Sequence, residues 1–231
     1  MSNLILVRHG QSEYNLQRRF TGFYDVDLTP KGEAEAKYAG QLIKNLNIDF
    51  QSHFTSKLKR ASNSLKIILK VLNKSNVEVT QALELNERHY GGLTGLNKDE
   101  TIKKYGNKQV QVWRRSFNIR PPKMESDHPY KNKIKSNIFA ESLKDTFDRV
   151  VPYFNKKIKP LLLLEKNVLV VFHGNSCRAL LMKILSISKE KITNFEVPTG
   201  NPLLINFKKN LQVSEYKYLD SKRAKKILFK I

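Results

Sequence analysis

The sequence is short of cysteine, of acidic residues and of long apolar runs, and each shortage closes off a class of protein. A single cysteine, Cys177, among 231 residues has no partner for an internal disulfide, which fits a reducing compartment. No apolar stretch approaches the roughly 18 residues that cross a bilayer, so no membrane partner is expected. The start, Met1-Ser2-Asn3, has no basic stretch or cleavage pattern; no signal peptide is expected, and a cytoplasmic location is. Acidic residues number 21 against 42 lysines and arginines, for a net charge of +21. Such an excess favours anionic partners. The lysines, however, run along the whole chain among many Asn and Ile, as a compositional bias does. There is no zinc-finger spacing and no aromatic-studded RNA-binding signature, so no specific nucleic acid is expected.

What is present suits one α/β domain: 40% hydrophobic residues, 10% aromatic, and enough length for a sizeable core. Strand and helix signals alternate, which predicts a mostly parallel sheet covered by helices in three α/β/α layers. Residues 4–7 read as a buried strand. Thr29 and Pro30 open a helix as N-cap and first helical residue, with Ala36, Ala39, Ile43 and Leu46 inward. A short strand is expected near residues 52–55, then a helix bearing Leu58, Ala61, Leu65, Ile68 and Leu72, then a strand at residues 77–79. Residues 81–96 look like loop and residues 97–117 like one helix. Residues 121–139 are polar, lysine-rich and aperiodic, as a mobile surface loop or lid is. A helix over residues 141–159 contains Pro152, which is placed to kink it. Residues 167–172 form the clearest buried strand and run into an apolar helix; residues 203–207 and 211–218 read as a final strand pair. The tail, about 219–231, is basic. No repeat or domain boundary interrupts the chain, so residues 1–231 are expected to be one domain.

Two of these strands end alike, in Val7-Arg8-His9-Gly10 and Phe172-His173-Gly174. Ligands of open α/β sheets bind at the carboxyl ends of parallel strands, where the two histidines can meet over one pocket. The glycine after each lets the following helix offer backbone N–H groups to an anion. Arg8 and Arg60 can grip phosphate oxygens with planar, two-pronged hydrogen bonds, although Arg60 alone reads more simply as a solvated charge at a helix start. A neutral imidazole held in one tautomer is a competent nucleophile toward phosphorus. The second histidine, if cationic, would stabilise charge growing on the transferring oxygens. A metal site is the rival use of the pair. It lacks a third ligand at suitable spacing, His89 being the nearest, so no metal is expected. Phosphoryl transfer also needs a proton donor for the leaving oxygen. Glu87, in Glu84-Leu85-Asn86-Glu87-Arg88-His89-Tyr90-Gly91-Gly92, is a candidate; taken alone, the segment slightly favours an exposed loop carboxylate paired with Arg88.

Together these segments resemble the cofactor-dependent phosphoglycerate mutases of the histidine phosphatase superfamily. The run from Leu6 to Asn15 matches the superfamily opening. Narrower matches are Phe20-Thr21-Gly22-Phe23-Tyr24-Asp25, Thr55-Ser56 with Lys59-Arg60-Ala61, the Leu85 to Lys98 block, Trp113-Arg114-Arg115, His173-Gly174-Asn175-Ser176, and Val197-Pro198-Thr199-Gly200. The resemblance implies a glycolytic and gluconeogenic isomerase, an intramolecular phosphotransferase acting on 2- and 3-phosphoglycerate. It implies that 2,3-bisphosphoglycerate primes His9, that Glu87 shuttles the proton, and that His173 assists while Arg8 and Arg60 clamp the phosphoryl group. Ser12, Asn15, Thr21, Gly22, Gly174 and Asn175 would line the same site. Arg88, Tyr90, Lys98, Arg114 and Arg115 would hold the rest of the substrate, including its carboxylate. Individually those cations are ordinary solvated charges; as a set they describe a clamp that a general phosphatase does not need. The partners expected are a small phosphorylated substrate and a second copy of the chain, a dimer before other assemblies. Two rivals remain: a broad phosphomonoesterase on the same site, and a basic nucleic-acid-binding protein on a retired enzyme fold. Residues 121–139 depart from the family pattern, being shorter than in many bacterial members. The tail is unmatched; Lys222-Arg223 and Lys225-Lys226 either order over the site or belong to a solvated end.

Overall fold

Six strands pair into one sheet in the computed structural model, which describes residues 1–224. They are β1 (Ser2–Arg8), β2 (Ser52–Ser56), β3 (Thr80–Ala82), β4 (Val168–Phe172), β5 (Leu203–Phe207) and β6 (Val213–Tyr218), in the order β3-β2-β4-β1-β5-β6. The β1–β4, β2–β4 and β2–β3 ladders are parallel; β5 and β6 add an antiparallel flank. The helices are α1 (Glu13–Leu16), α2 (Pro30–Lys44), α3 (Lys59–Val71), α4 (Lys98–Tyr105), α5 (Asn107–Arg115), α6 (Leu143–Tyr153), α7 (Lys159–Leu163), α8 (Gly174–Ile184) and α9 (Lys189–Ile192).

The apolar pattern of the strands builds the layers. Side chains alternate between sheet faces with period two. Ile5, Val7, Leu169 and Val171 therefore pack with Ala39 and Ile43 of α2 and Leu65, Ile68 and Leu69 of α3. Leu4, Leu6, Val168, Val170 and Phe172 face the other way, onto α6, α8 and their neighbours. Both central strands are covered on both faces, as parallel strands require. Each buried Leu, Ile or Val removed from water contributes about 1.5–3 kcal/mol. The result is the expected three-layer α/β/α architecture. Thr29 caps α2 as expected, its side chain accepting from Gly32 N–H, with Pro30 in the first turn.

Several boundaries differ from the sequence reading. The helix expected over residues 97–117 is two: Gly106, at φ +79°, ends α4 and starts α5. The strand expected at 77–79 lies at β3, because Val77 and Val79 pack toward the α2–α3 side while Thr80–Ala82 pairs with β2. After Pro152 the long helix widens into a π-helical turn, Phe154–Ile158, before α7; lost i→i−4 bonding at a proline is a common cause of such adjustments. Residues 121–139 are held against the body. Gly92 N–H donates to Pro122 O at 2.8 Å and the Tyr14 and Tyr130 hydroxyls meet at 2.6 Å, while within the segment Met124 N–H donates to Phe139 O at 3.0 Å. Met124 and Ile134 are buried. Of the basic tail, residues 225–231, including Lys225 and Lys226, lie outside the described residues.

Candidate active site

The carboxyl ends of β1 and β4 are adjacent, and His9 N–H donates to Phe172 O at 3.0 Å. The His9 and His173 rings accordingly stand 5.0 Å apart, edge to face. The two strand ends then diverge. After His9 the chain presses against the first turn of α2: a Cβ on Gly10 would fall 2.0 Å from Gly32 O. His9 Nδ1 lies 2.7 Å from Gly10 O. A carbonyl only accepts, so Nδ1 carries the proton and the Nε2 lone pair is left for chemistry. Burial, then Arg60 and Arg8, holds this histidine well below its usual value, so the ring is neutral.

His173 is also neutral, held down by burial and then Arg60. The cationic form considered for it from sequence is not the form this site supports, because guanidinium groups already crowd it. Ser56 is its ring partner. The Ser56 hydroxyl oxygen accepts from Leu58 N–H at 3.2 Å and lies 2.7 Å from His173 Nε2. His173 Nδ1 is buried and has no partner among the described residues. The anion-binding amides expected after each histidine are engaged elsewhere. Gly10 N–H donates to Ser64 Oγ at 3.1 Å and Gln11 N–H to Glu35 at 2.8 Å. Asn175 N–H, at the start of α8, donates to Glu87 Oε1 at 3.1 Å.

Around the histidines lies a pocket of about 550 Å³. Of the residues expected at the site, Arg8, His9, Asn15, Thr21, Gly22, Arg60, Glu87, Tyr90, Lys98, Arg114, Arg115, Gly174 and Asn175 line it. Ser12, Arg88 and His173 stand behind its wall. Ser12 is the buried N-cap of α1, exchanging hydrogen bonds with Asn15. Arg88 lies 4.6 Å over the Tyr90 ring and donates to Arg114 O at 3.1 Å.

Burial removes the solvated-charge reading of Arg60 and the exposed-carboxylate reading of Glu87. Arg60 is 1% exposed and ties down the 21–24 loop through Gly22 O (2.8 Å) and Tyr24 O (3.0 Å). Burial lowers its guanidinium to about 10, so it stays charged at neutral pH. Glu87 is buried, and its Oε1 accepts from Arg88 N–H (2.8 Å) as well as Asn175 N–H; the Arg88 guanidinium forms no ion pair with it. At the rim, burial brings Lys98 down to about 8. Burial raises Tyr90, but Arg88, Arg114 and Lys98 outweigh it and bring the phenol to about 8.

The lining also includes residues that the sequence reading did not assign: Arg19, Phe20, Arg178, Phe195, Glu196, Val197 and Pro198. Arg178 was findable, since it follows Asn175 by three residues on one helix face and donates to Asn175 Oδ1 at 3.0 Å. Of the two alternatives for Lys222 and Arg223, the structure has them at the pocket, brought there by the turn after β6, which Asn201 fastens at Asp220. Lysines and arginines thus outnumber Glu87 and Glu196 on the described walls. On the lining, Arg8 Nε and Arg178 Nε are buried donors without acceptors, each costly unless an acceptor meets it. A small ligand with several anionic groups fits this donor set. Among the described residues, no group of three or more His, Cys, Asp or Glu is placed to hold a metal ion, and no helix is long and apolar enough to cross a membrane.

Comparison with known proteins places this geometry. Residues 4–216 match the family model of the histidine phosphatase superfamily (branch 1). The chain is 45% identical to a 2,3-bisphosphoglycerate-dependent phosphoglycerate mutase of Hyphomonas neptunium, over 97% of each chain. It is 46% identical to one of Pelagibacter ubique over 99% of each. With one of Treponema denticola it shares 47% identity over 94% of this chain and 91% of the relative. Among solved structures, a mycobacterial glucosyl-3-phosphoglycerate phosphatase superposes with a TM-score of 0.70 at 19% identity, covering 94% of this chain and 96% of the other. The α-ribazole phosphatase from Shigella flexneri gives 0.70 at 18% identity, covering 99% and 100%; at these identities the likeness is one of fold.

Proposed function

We propose a reaction from one premise: the chain belongs to the histidine phosphatase superfamily (branch 1). Within it, the chain is a 2,3-bisphosphoglycerate-dependent phosphoglycerate mutase that interconverts 2- and 3-phosphoglycerate through a phosphohistidine, the reading supported by its full-length relatives. One observation carries this to the residues. A neutral histidine, its Nδ1 proton tied to a carbonyl, opens onto a pocket with more cations than a single phosphate needs.

His9 Nε2 forms a bond to phosphorus while the bond to the leaving oxygen breaks, and Glu87 gives that oxygen its proton. Positive charge growing on the ring strengthens the Nδ1–H bond to Gly10 O. Arg8 and Arg60 hold the phosphoryl oxygens, and the His173 Nδ1–H donates to one of them. In the return direction Glu87 takes the proton of the accepting hydroxyl; the N–P bond breaks and its electron pair returns to Nε2. Tyr90, Lys98, Arg114 and Arg115 hold the remainder of the substrate, with Arg88 stacked behind Tyr90 and Asn15, Thr21, Gly22, Gly174 and Asn175 shaping the walls. When bound, 2,3-bisphosphoglycerate supplies the phosphoryl group that loads His9; the same clamp and rim fit its three acidic groups. One sheet with a core on each face supports a single catalytic domain. The lone, buried Cys177 supports a reducing, cytoplasmic setting; assembly as a dimer rests on the family resemblance.

The test is to incubate the protein with 2,3-bisphosphoglycerate, locate the phosphate by mass spectrometry, and follow 3- to 2-phosphoglycerate conversion in the presence of a chelator. Phosphate on His9 and isomerisation unaffected by chelation are expected. Phosphate release outpacing isomerisation would point to the phosphomonoesterase instead.

A further inference from the structure

Glu87 sits in a stretch, residues 86–90, that belongs to neither a helix nor a strand, so its carboxylate needs another support. That support is an ion pair outside the pocket lining. Arg149, two turns into α6, and Glu141, just ahead of the Ser142 cap, are paired with side chains 15% and 3% exposed. Arg149 Nε donates to Glu141 Oε1 at 2.7 Å and Nη2 to Oε2 at 2.9 Å. Nη1 donates to Glu84 O at 2.6 Å and to Asn86 O at 2.9 Å, and Nη2 to Glu87 O at 2.9 Å. All five N–H donors of a guanidinium are thereby used, three of them on carbonyls of the Glu87 loop. Glu141 completes the frame: its Oε2 accepts from His89 N–H at 2.8 Å, and its own N–H donates to His89 O at 2.9 Å.

We propose that Arg149, oriented by Glu141, is a positioning residue for Glu87, fixing the loop backbone at residues 84–89 so that the carboxylate is delivered to the reacting oxygen. The proposal rests on the role given to Glu87 above. The frame is rooted in α6, which is itself fixed by a reciprocal cap between Ser142 and Asp145. Only a planar five-donor group closes it. A lysine keeps the charge but offers three donors from one point, so it cannot hold Glu141 and three carbonyls together. Displacement of a reacting group by about 1 Å can cost about 100-fold in rate.

The experiment is a double-mutant cycle on the full chain between Arg149→Lys and Glu87→Gln. Melting temperature and KM are measured alongside kcat. R149K should lower kcat by about 10- to 100-fold and raise KM by much less, since Arg8, Arg60, Lys98, Arg114 and Arg115 lie on other elements and only Tyr90 adjoins the loop. In the E87Q background, where proton delivery is already lost, R149K should cost less than about twofold more, because effects through one shared group do not add. A kcat loss that is the same in both backgrounds, or that is absent from folded R149K, overturns the positioning role. Should R149K not fold, Glu141→Gln, which leaves the three carbonyl bonds of Arg149 in place and loses one acceptor shared between the fork and His89 N–H, takes its place in the cycle with a smaller loss expected in the same direction. E87Q working at the wild-type rate would overturn the Glu87 reading itself, which separates the two failures.

Discussion

The chain ends two adjacent parallel strands with the same word, His-Gly, and makes two different things of it. After β1, Gly10 presses against Gly32, its carbonyl turns back to hold His9 Nδ1, and the free Nε2 belongs to a residue of the pocket wall. After β4, Gly174 starts the eleven-residue helix α8, and His173 sits behind the wall with Nε2 tied to Ser56. Each histidine is neutral, and each keeps one nitrogen unengaged. The free nitrogen is Nε2 in the first and Nδ1 in the second. The carbonyl of the next residue engages the first ring, and a side chain from β2, Ser56, engages the second.

The largest test of that division is to remove each ring. His9→Ala should abolish phosphorylation and lower turnover by at least about 10⁴-fold. His173→Ala should still be phosphorylated on His9, more slowly, with turnover down by about 10²–10³, the usual loss for one donor to developing charge. Mass spectrometry of both proteins after exposure to 2,3-bisphosphoglycerate decides it, and label appearing in H9A would reverse the assignment.

The glycines give a contrast in stability. Gly10→Ala puts a methyl 2.0 Å from a backbone oxygen in a packed layer and should cost about 3 kcal/mol in urea unfolding. Gly174→Ala meets nothing closer than Arg8 Nε at 3.5 Å and should stay within about 0.5 kcal/mol of the parent. Equal losses would mean that the two turns are not as different as their surroundings indicate.

The smallest effect separates the strand ends from the rim. Both histidines are held neutral well below pH 7, so the alkaline limb of activity begins with Lys98 and Tyr90, with Arg178, lowered by burial to about 9, following them. Lys98 and Tyr90 both have values of about 8. As pH rises through that value, Lys98 loses a positive charge and Tyr90 gains a negative one; both changes weaken the hold on an anion. KM should rise by up to about tenfold, or about 1.4 kcal/mol, between pH 7 and 9, with kcat less affected. Tyr90→Phe should flatten part of the rise, and an unchanged limb would move it away from the rim.

Much of this was legible in the chain because it is local. The alternating apolar positions of β1 and β4 told both the strands and the two-sided burial. Thr29-Pro30 told the start of α2, and the repeated His-Gly told the shared edge. What was not legible comes from partners distant in sequence. Ser56, 117 residues before His173, is its ring partner, and burial, then Arg60, keeps it uncharged. The amides after each histidine looked free for an anion until the fold gave them Ser64, Glu35 and Glu87. Gly106 is the exception, a lone glycine inside a helical pattern whose break could have been read from the chain. Arg149 and Glu141 carried no signal at all, since a cation and an acid eight residues apart in an amphipathic helix region look like surface.

The cation-lined pocket has a consequence that begins before any contact. Its charges stand in a concave, low-dielectric wall, which focuses their field outward. Ions at physiological strength cut such a field off over about 8 Å. Within that range an incoming polyanion is drawn in, so capture becomes a property of the medium as well as of the protein. In dilute salt the enzyme meets its substrate faster than diffusion to a neutral mouth would allow; in concentrated salt it forfeits that advantage while its chemistry is unchanged.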